Sequence, residues 1–203
     1  MQTIENKVHS RIYGNGRGWT FCNKYFSDIG TPGAIDTALH RLVKDGKIRR
    51  ACRGVYYYPK YSELLKQDLG SDIDEVAHAI ARRSGWRILA DGSTALNLLG
   101  LSTQVPARWM YLSDGAQRRT SYTIGNNKLV FKNTPLKEAG VKHHMGSLIV
   151  QALKTLGQER IDSELINKLR RRIPAEEKKR IIRDTRYVTG WIREAILKAC
   201  KEG

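Results

Sequence analysis

The sequence of 203 residues predicts an α+β protein. Three observations carry that expectation. Apolar residues recur at helical spacing through the first 45 residues. A basic and aromatic run then breaks the rhythm. Short β-type segments between residues 86 and 132 give way to a helical C-terminal third.

In chain order, Ile4, Val8 and Ile12 recur every four residues and mark one face of a helix ending near Gly14-Asn15-Gly16, with Lys7 and Arg11 off that face. A second short helix is expected over Phe21–Ile29, with Phe21, Tyr25, Phe26 and Ile29 inward and Gly30 as its stop. Thr31-Pro32 then offers an N-cap followed by proline at the first helical position. From there Ile35, Ala38, Leu39, Leu42 and Val43 repeat at helical spacing as far as Asp45-Gly46. The next run, IRRACRGVYYYP over residues 48–59, favours strand through its tyrosines and is punctuated by Gly54. It reads as a hairpin of Ile48–Cys52 and Val55–Tyr58 turning at Arg53-Gly54. Helix, helix, turn, helix and hairpin is the order of a winged helix-turn-helix.

Residues 1–60 form this first domain, residues 61–70 a weakly helical linker, and residues 71–203 an α+β domain with a small sheet and C-terminal helices. In that second domain a helix is expected from Ser71 to Arg83 and a strand from Trp86 to Ala90. A short apolar helix follows over Ser93–Leu101. Further strands are expected at Val105–Ser113, Ser121–Ile124 and Lys128–Lys132, the last two joined by the turn signal Gly125-Asn126-Asn127. Helices resume at Met145, stop at Gly157, and continue over Asp162–Ile173. Ile181, Thr185, Val188, Ile192, Ala195 and Ala199 then alternate at spacings of four and three. That stripe either packs on its own domain or docks a partner, and Gly190 inside it invites a break.

The charge points to a partner. The chain carries 36 Lys and Arg against 20 Asp and Glu, a net +16, which favours a polyanion and most simply nucleic acid. Residues 1–60 are the most one-sided, with 11 Lys and Arg against 4 Asp and Glu. On the third helix, the face opposite Ile35, Leu39 and Leu42 presents Gly33, Thr37, His40, Arg41 and Lys44. In a major groove these would meet base edges and phosphates. Thr31 and the helix start suit a phosphate, and Lys7, Arg11, Lys47, Arg49, Arg50 and Arg53 are the expected backbone contacts.

Other classes find less support. The three cysteines, Cys22, Cys52 and Cys200, are too scattered for a disulfide framework or a zinc site, and no metal or cofactor is expected. Phosphate-loop, dinucleotide, nucleophile-elbow and HExxH motifs are missing from the sequence, so catalysis is not expected. Asp45-Gly46, Asp91-Gly92 and Asp114-Gly115 read as turns. No run of 18 apolar residues suggests a membrane helix, and MQTIENKVHS lacks the apolar core of a secretory signal, so a cytoplasmic location is expected.

Two stretches together resemble the AbiEi-type antitoxins of bacterial type IV toxin–antitoxin and abortive-infection systems. They are AIDTALHRLVKDGKIRRACRGVYYYP and ILADGSTALNLLGLSTQVPARWMYLSDG, and the likeness covers roughly residues 1–140. It implies a winged helix that binds inverted repeats in double-stranded DNA at its own promoter and represses it. It also implies that the remainder neutralises a cognate nucleotidyltransferase toxin encoded alongside. On the residues alone two other classes stay open. One is a nucleic-acid-processing enzyme or accessory subunit that uses the wing as a substrate clamp. The other is an RNA-binding adaptor built on Arg170-Arg171-Arg172 and Lys178-Lys179-Arg180.

Overall fold

The architecture is α+β, as expected. The computed structural model describes residues 3–104, 106–116, 119–134, 141 and 143–201. The chain divides into two compact units: residues 1–87 with 121–129, and residues 88–120 with 130–203.

The first unit begins with α1 (Ile4–Asn15), capped by the Thr3 hydroxyl, which accepts from the Asn6 N–H. Strand β1 (Thr20–Cys22) and a single 3-10 turn over Asn23–Phe26 follow. The expected helix over Phe21–Ile29 is therefore not formed. Thr20, Phe21 and Cys22 instead pair antiparallel with Tyr57, Tyr56 and Val55, a long-range pairing that outweighs the local helical spacing. Helix α2 (Pro32–Lys44) starts where Thr31-Pro32 places it, and the Thr31 hydroxyl accepts from the Ala34 N–H at 3.4 Å. Strands β2 (Arg49–Cys52) and β3 (Val55–Tyr57) form the wing, and the sheet order is β1-β3-β2. This is a winged helix-turn-helix.

Its core holds Val8, Ile12, Phe21, Phe26, Ile35, Leu39, Leu42 and Ile48, with Trp19, Tyr25 and Tyr56 packed against it. Trp19 stacks near Phe21 and meets Phe26 edge-on, with centroids 4.6 and 6.0 Å apart. Packed rings of this kind add about 0.5–1.5 kcal/mol per pair beyond the area they bury. Burial lifts the Tyr25, Tyr57 and Tyr58 phenols above their usual range, so these rings are neutral scaffold at physiological pH.

The expected linker at 61–70 is structured. Strands β4 (Tyr61–Ser62) and β5 (Gln67–Asp68) pair antiparallel, and Lys66 sits at φ 49° in the turn between them. Helix α3 (Ile73–Ser84) is capped by Asp72 rather than Ser71, since the Asp72 carboxylate accepts from both Asp74 and Glu75 N–H groups. It belongs to the first unit rather than to a domain starting at 71. It packs on β1, and the Arg82 guanidinium lies 5.3 Å from the Tyr25 ring centroid. Its apolar face of Val76, Ala77 and Ile80 is fully buried.

The second unit contains β6 (Ile88–Ala90), α4 (Gly92–Leu98) and β7 (Trp109–Ser113). Strands β8 (Arg119–Ile124) and β9 (Asn127–Asn133) form a hairpin, and the strand order is β6-β7-β9-β8. Residues 121–129 of that hairpin group with the first unit. The expected strand start at Val105 lies outside the described residues. Asp91 caps α4 by accepting from the Ser93 N–H and hydroxyl, which accounts for Asp91-Gly92 as a helix entry.

Helices α5 (His144–Leu156), α6 (Ser163–Arg172), α7 (Lys178–Asp184) and α8 (Gly190–Cys200) complete it. The stripe from Ile181 to Ala199 faces inward, with Ile181, Thr185, Ile192, Ala195 and Ala199 buried. It is core, and the break does fall before Gly190.

Candidate nucleic-acid interface

The apolar residues of α2 occupy one side, so its polar residues are left on the other. Thr37, His40, Arg41 and Lys44 are all exposed, as are Thr31 and Gly33 at its start. The Thr37 hydroxyl donates to the Gly33 carbonyl at 2.9 Å, which settles its proton within the helix. Arg41 reaches across to α1 and pairs with Glu5 at 3.3 Å, its side chain 65% exposed. A pair so open to water contributes at most about 1 kcal/mol, so Arg41 can leave it for a stronger anion. Asp36 also lies on α2, and it is held by the Asn23 amide at 3.0 Å.

The wing adds a second basic row. Lys47 pairs with Asp45 at 3.3 Å, and Arg49 pairs with Asp68 at 3.3 Å. Both are exposed contacts. The β2–β3 register shifts between Arg50 and Cys52, a bulge that bends the strand beside its turn. There Arg50 Nε donates to the Cys52 carbonyl at 3.3 Å. Burial raises the Cys52 thiol above its usual value, so it is protonated at neutral pH. Arg53 is exposed at the turn, and Gly54 takes φ 73°, a left-handed conformation that glycine adopts without penalty.

One expected contact is spent elsewhere. Arg11 donates through both Nη atoms to the two carboxylate oxygens of Asp28, each at 2.6 Å, and also to the Tyr25 carbonyl at 2.8 Å. The Arg11 hydrogen bond holds the Asp28 carboxyl at about 2, well below its usual 3.8. Arg11 therefore ties α1 to the segment before α2. Lys7, on the same helix, is exposed and its side chain makes no hydrogen bond or ion pair with another described residue.

Sequence reasoning missed Arg83. From α3, its Nη1 donates to the Arg53 carbonyl at the wing turn, and its Nη2 donates to the Tyr122 hydroxyl at 3.3 Å. A Cβ on Gly54 would fall 2.8 Å from Nη1, so the glycine also makes room for the guanidinium. A contact spanning 30 residues leaves no local signal in the sequence. Lys24, exposed on the 3-10 turn, is a further cation beside this surface's supporting elements that the sequence reading did not select.

These features define the class: a two-unit α+β protein whose first unit is a winged helix with cations on both α2 and the wing. The chain belongs to the family of unknown function DUF6088, which it matches over residues 4–181. No curated protein matches it. Among solved structures, the crystal structure of the RV2827C protein from Mycobacterium tuberculosis is similar across 100% of this chain and 78% of that one. Identity is 13% and the TM-score 0.41, too distant a likeness to carry an argument.

Proposed function

We propose that the chain is a cytoplasmic, DNA-binding transcriptional autorepressor that doubles as the antitoxin to a cognate nucleotidyltransferase toxin. The observation that carries the DNA-binding half is the state of the cations on α2 and the wing. His40 and Lys44 are exposed and their side chains make no hydrogen bond or ion pair with another described residue, and Arg41, Lys47 and Arg49 are held in exposed ion pairs. Each can exchange its present partner for phosphate or a base edge at small cost. Lys7, Lys47, Arg49, Arg50 and Arg53 contact backbone, while Thr37, His40, Arg41 and Lys44 read the major groove of the duplex.

The antitoxin half is supported by the sequence resemblance of residues 1–140. It assigns the remainder of the chain beyond the winged helix to neutralisation, and it makes inverted repeats in the protein's own promoter the operator.

A gel shift on the upstream DNA tests the reading. Arg41→Ala combined with Lys44→Ala abolishes retention of the promoter fragment, and a lost bidentate base contact costs roughly 1–3 kcal/mol. Unchanged, sequence-specific binding by the double variant sinks the assignment of α2. For the antitoxin half, the full chain is co-expressed with the nucleotidyltransferase from the neighbouring gene. Growth arrest that persists despite the chain refutes that role.

A further inference from the structure

We propose that the corner between α7 and α8 in the second unit is a binding surface for single-stranded nucleic acid. Residues 178–193 hold six Lys and Arg against one Asp. Helical spacing sorts them. Ile181 and Thr185 are buried, at 0% and 1%, so the apolar side of α7 is consumed by the core. Lys179 and Arg183 lie one turn apart on α7 with Arg180 beside them, Arg186 follows in the turn after the helix, and all four are exposed. Asp184 is the one acid, and the Arg183 Nε reaches it at 3.6 Å while leaving the Arg183 side chain 70% exposed.

Next to Arg186 stands Tyr187, 93% exposed. The corner that presents it is fixed. The Thr185 hydroxyl donates to the Ile181 carbonyl at 2.8 Å, and Arg193 Nη1 donates to the Arg186 carbonyl at 2.6 Å, on either side of the ring's attachment. A flat aromatic face held clear of the protein beside these cations matches two chemical features of one ligand. A single strand offers an anionic backbone for the cations and an uncovered base to stack on the ring. A duplex hides its base faces in the stack. An acidic peptide would satisfy the cations and leave the ring unused.

Fluorescence anisotropy with the full chain tests this. The probe is a labelled mixed-sequence RNA of about 12 nucleotides, within the span such surfaces cover. An abasic strand of the same length and a duplex serve as controls. Tyr187→Ala weakens RNA binding roughly 5- to 100-fold, the loss one stacked base corresponds to, and Tyr187→Phe does not. Arg183→Ala with Arg186→Ala weakens binding of the RNA and the abasic strand alike. Thermal melting confirms that these exposed substitutions leave the fold intact.

Equal binding by Tyr187→Ala and the unaltered chain overturns the proposal, as does equal affinity for abasic and base-bearing strands. Retention of an oligoglutamate peptide without RNA binding assigns the surface to an acidic protein instead and also overturns it. The Tyr187 effect is independent of Arg41 and Lys44, so this inference and the winged-helix reading can fail separately.

Discussion

Replacing Gly54 with alanine tests whether the wing turn is built around Arg83. Two penalties add. The first is conformational: at φ 73° an L-residue pays about 1–2 kcal/mol that glycine does not. The second is contact: the new Cβ lies 2.8 Å from Arg83 Nη1, and the guanidinium must withdraw from the Arg53 carbonyl. A charged hydrogen bond is worth about 1.5–3 kcal/mol, and partial exposure of Arg83 sets the lower end. Gly54→Ala therefore costs about 2.5–3.5 kcal/mol, or a fall in melting temperature of about 5–14 °C for a chain of this length. Arg83→Ala alone removes only the second part. In a double-mutant cycle by thermal and urea unfolding, the Gly54→Ala penalty shrinks to its conformational part when Arg83 is already alanine. The coupling energy is about 1.5 kcal/mol. Penalties that simply add, within about 0.5 kcal/mol, would show that the glycine and the arginine act independently and that no latch exists.

Two further outcomes follow from local geometry. Asp28 has a folded-state pKa of about 2 against its usual 3.8, so its contribution is complete above the unfolded value and disappears as pH falls through the interval. The melting-temperature gap between the unaltered chain and Asp28→Asn should stay flat above about pH 5 and close between about pH 4 and 2; a gap constant to pH 2 would contradict the Arg11 pairing. Two glycine substitutions should differ in sign. A Cβ on Gly92 would collide with the Thr155 side chain, whose Cβ is 2.7 Å away, so Gly92→Ala destabilises by about 1–3 kcal/mol. Gly33 on α2 has open space for a Cβ, so Gly33→Ala is neutral or stabilises by up to about 1 kcal/mol, as read by thermal melting.

What could be read from the sequence was whatever local chemistry determines. Helix α2 carries its own start in Thr31-Pro32 and its own stop in Asp45-Gly46, and the hairpin carries its turn in Arg53-Gly54. All three lie where the residues put them. The segment Phe21–Ile29 misled because Phe21, Tyr25, Phe26 and Ile29 fit a helical period by coincidence. A three-residue strand has too little pattern to compete, and its partner lies some 35 residues away. The linker at 61–70 and the placing of α3 in the second domain failed for the same reason, although the helix itself was legible. Two-residue strands have no periodicity, and the burial of α3 against β1 is a tertiary fact. At the site, the basic side chains were identifiable by type and spacing, but their partners were not. Arg11 looked like a surface cation until Asp28, 17 positions on, was brought to it.

That last point changes how the net charge bears on binding. The arginines divide by what surrounds them. Arg11 is forked onto Asp28, Arg17 lies 5.0 Å from the Tyr58 ring centroid and donates to the Pro59 carbonyl, and Arg82 covers Tyr25. Arg83 closes the wing turn. These planar, multidentate groups hold the first unit together, a task that suits a guanidinium better than an ammonium. Lys7, Lys24 and Lys44 are exposed point charges whose side chains make no hydrogen bond or ion pair with other described residues, and Arg41 and Arg49 sit in open ion pairs. Counterion release depends on the cations that can reach a phosphate without dismantling the fold. For the winged helix the relevant charge is therefore smaller than composition implies and more sharply placed, mainly on α2 and the wing. A protein binding by diffuse positive charge would have no reason to use its arginines as internal staples and leave the more mobile lysines outside.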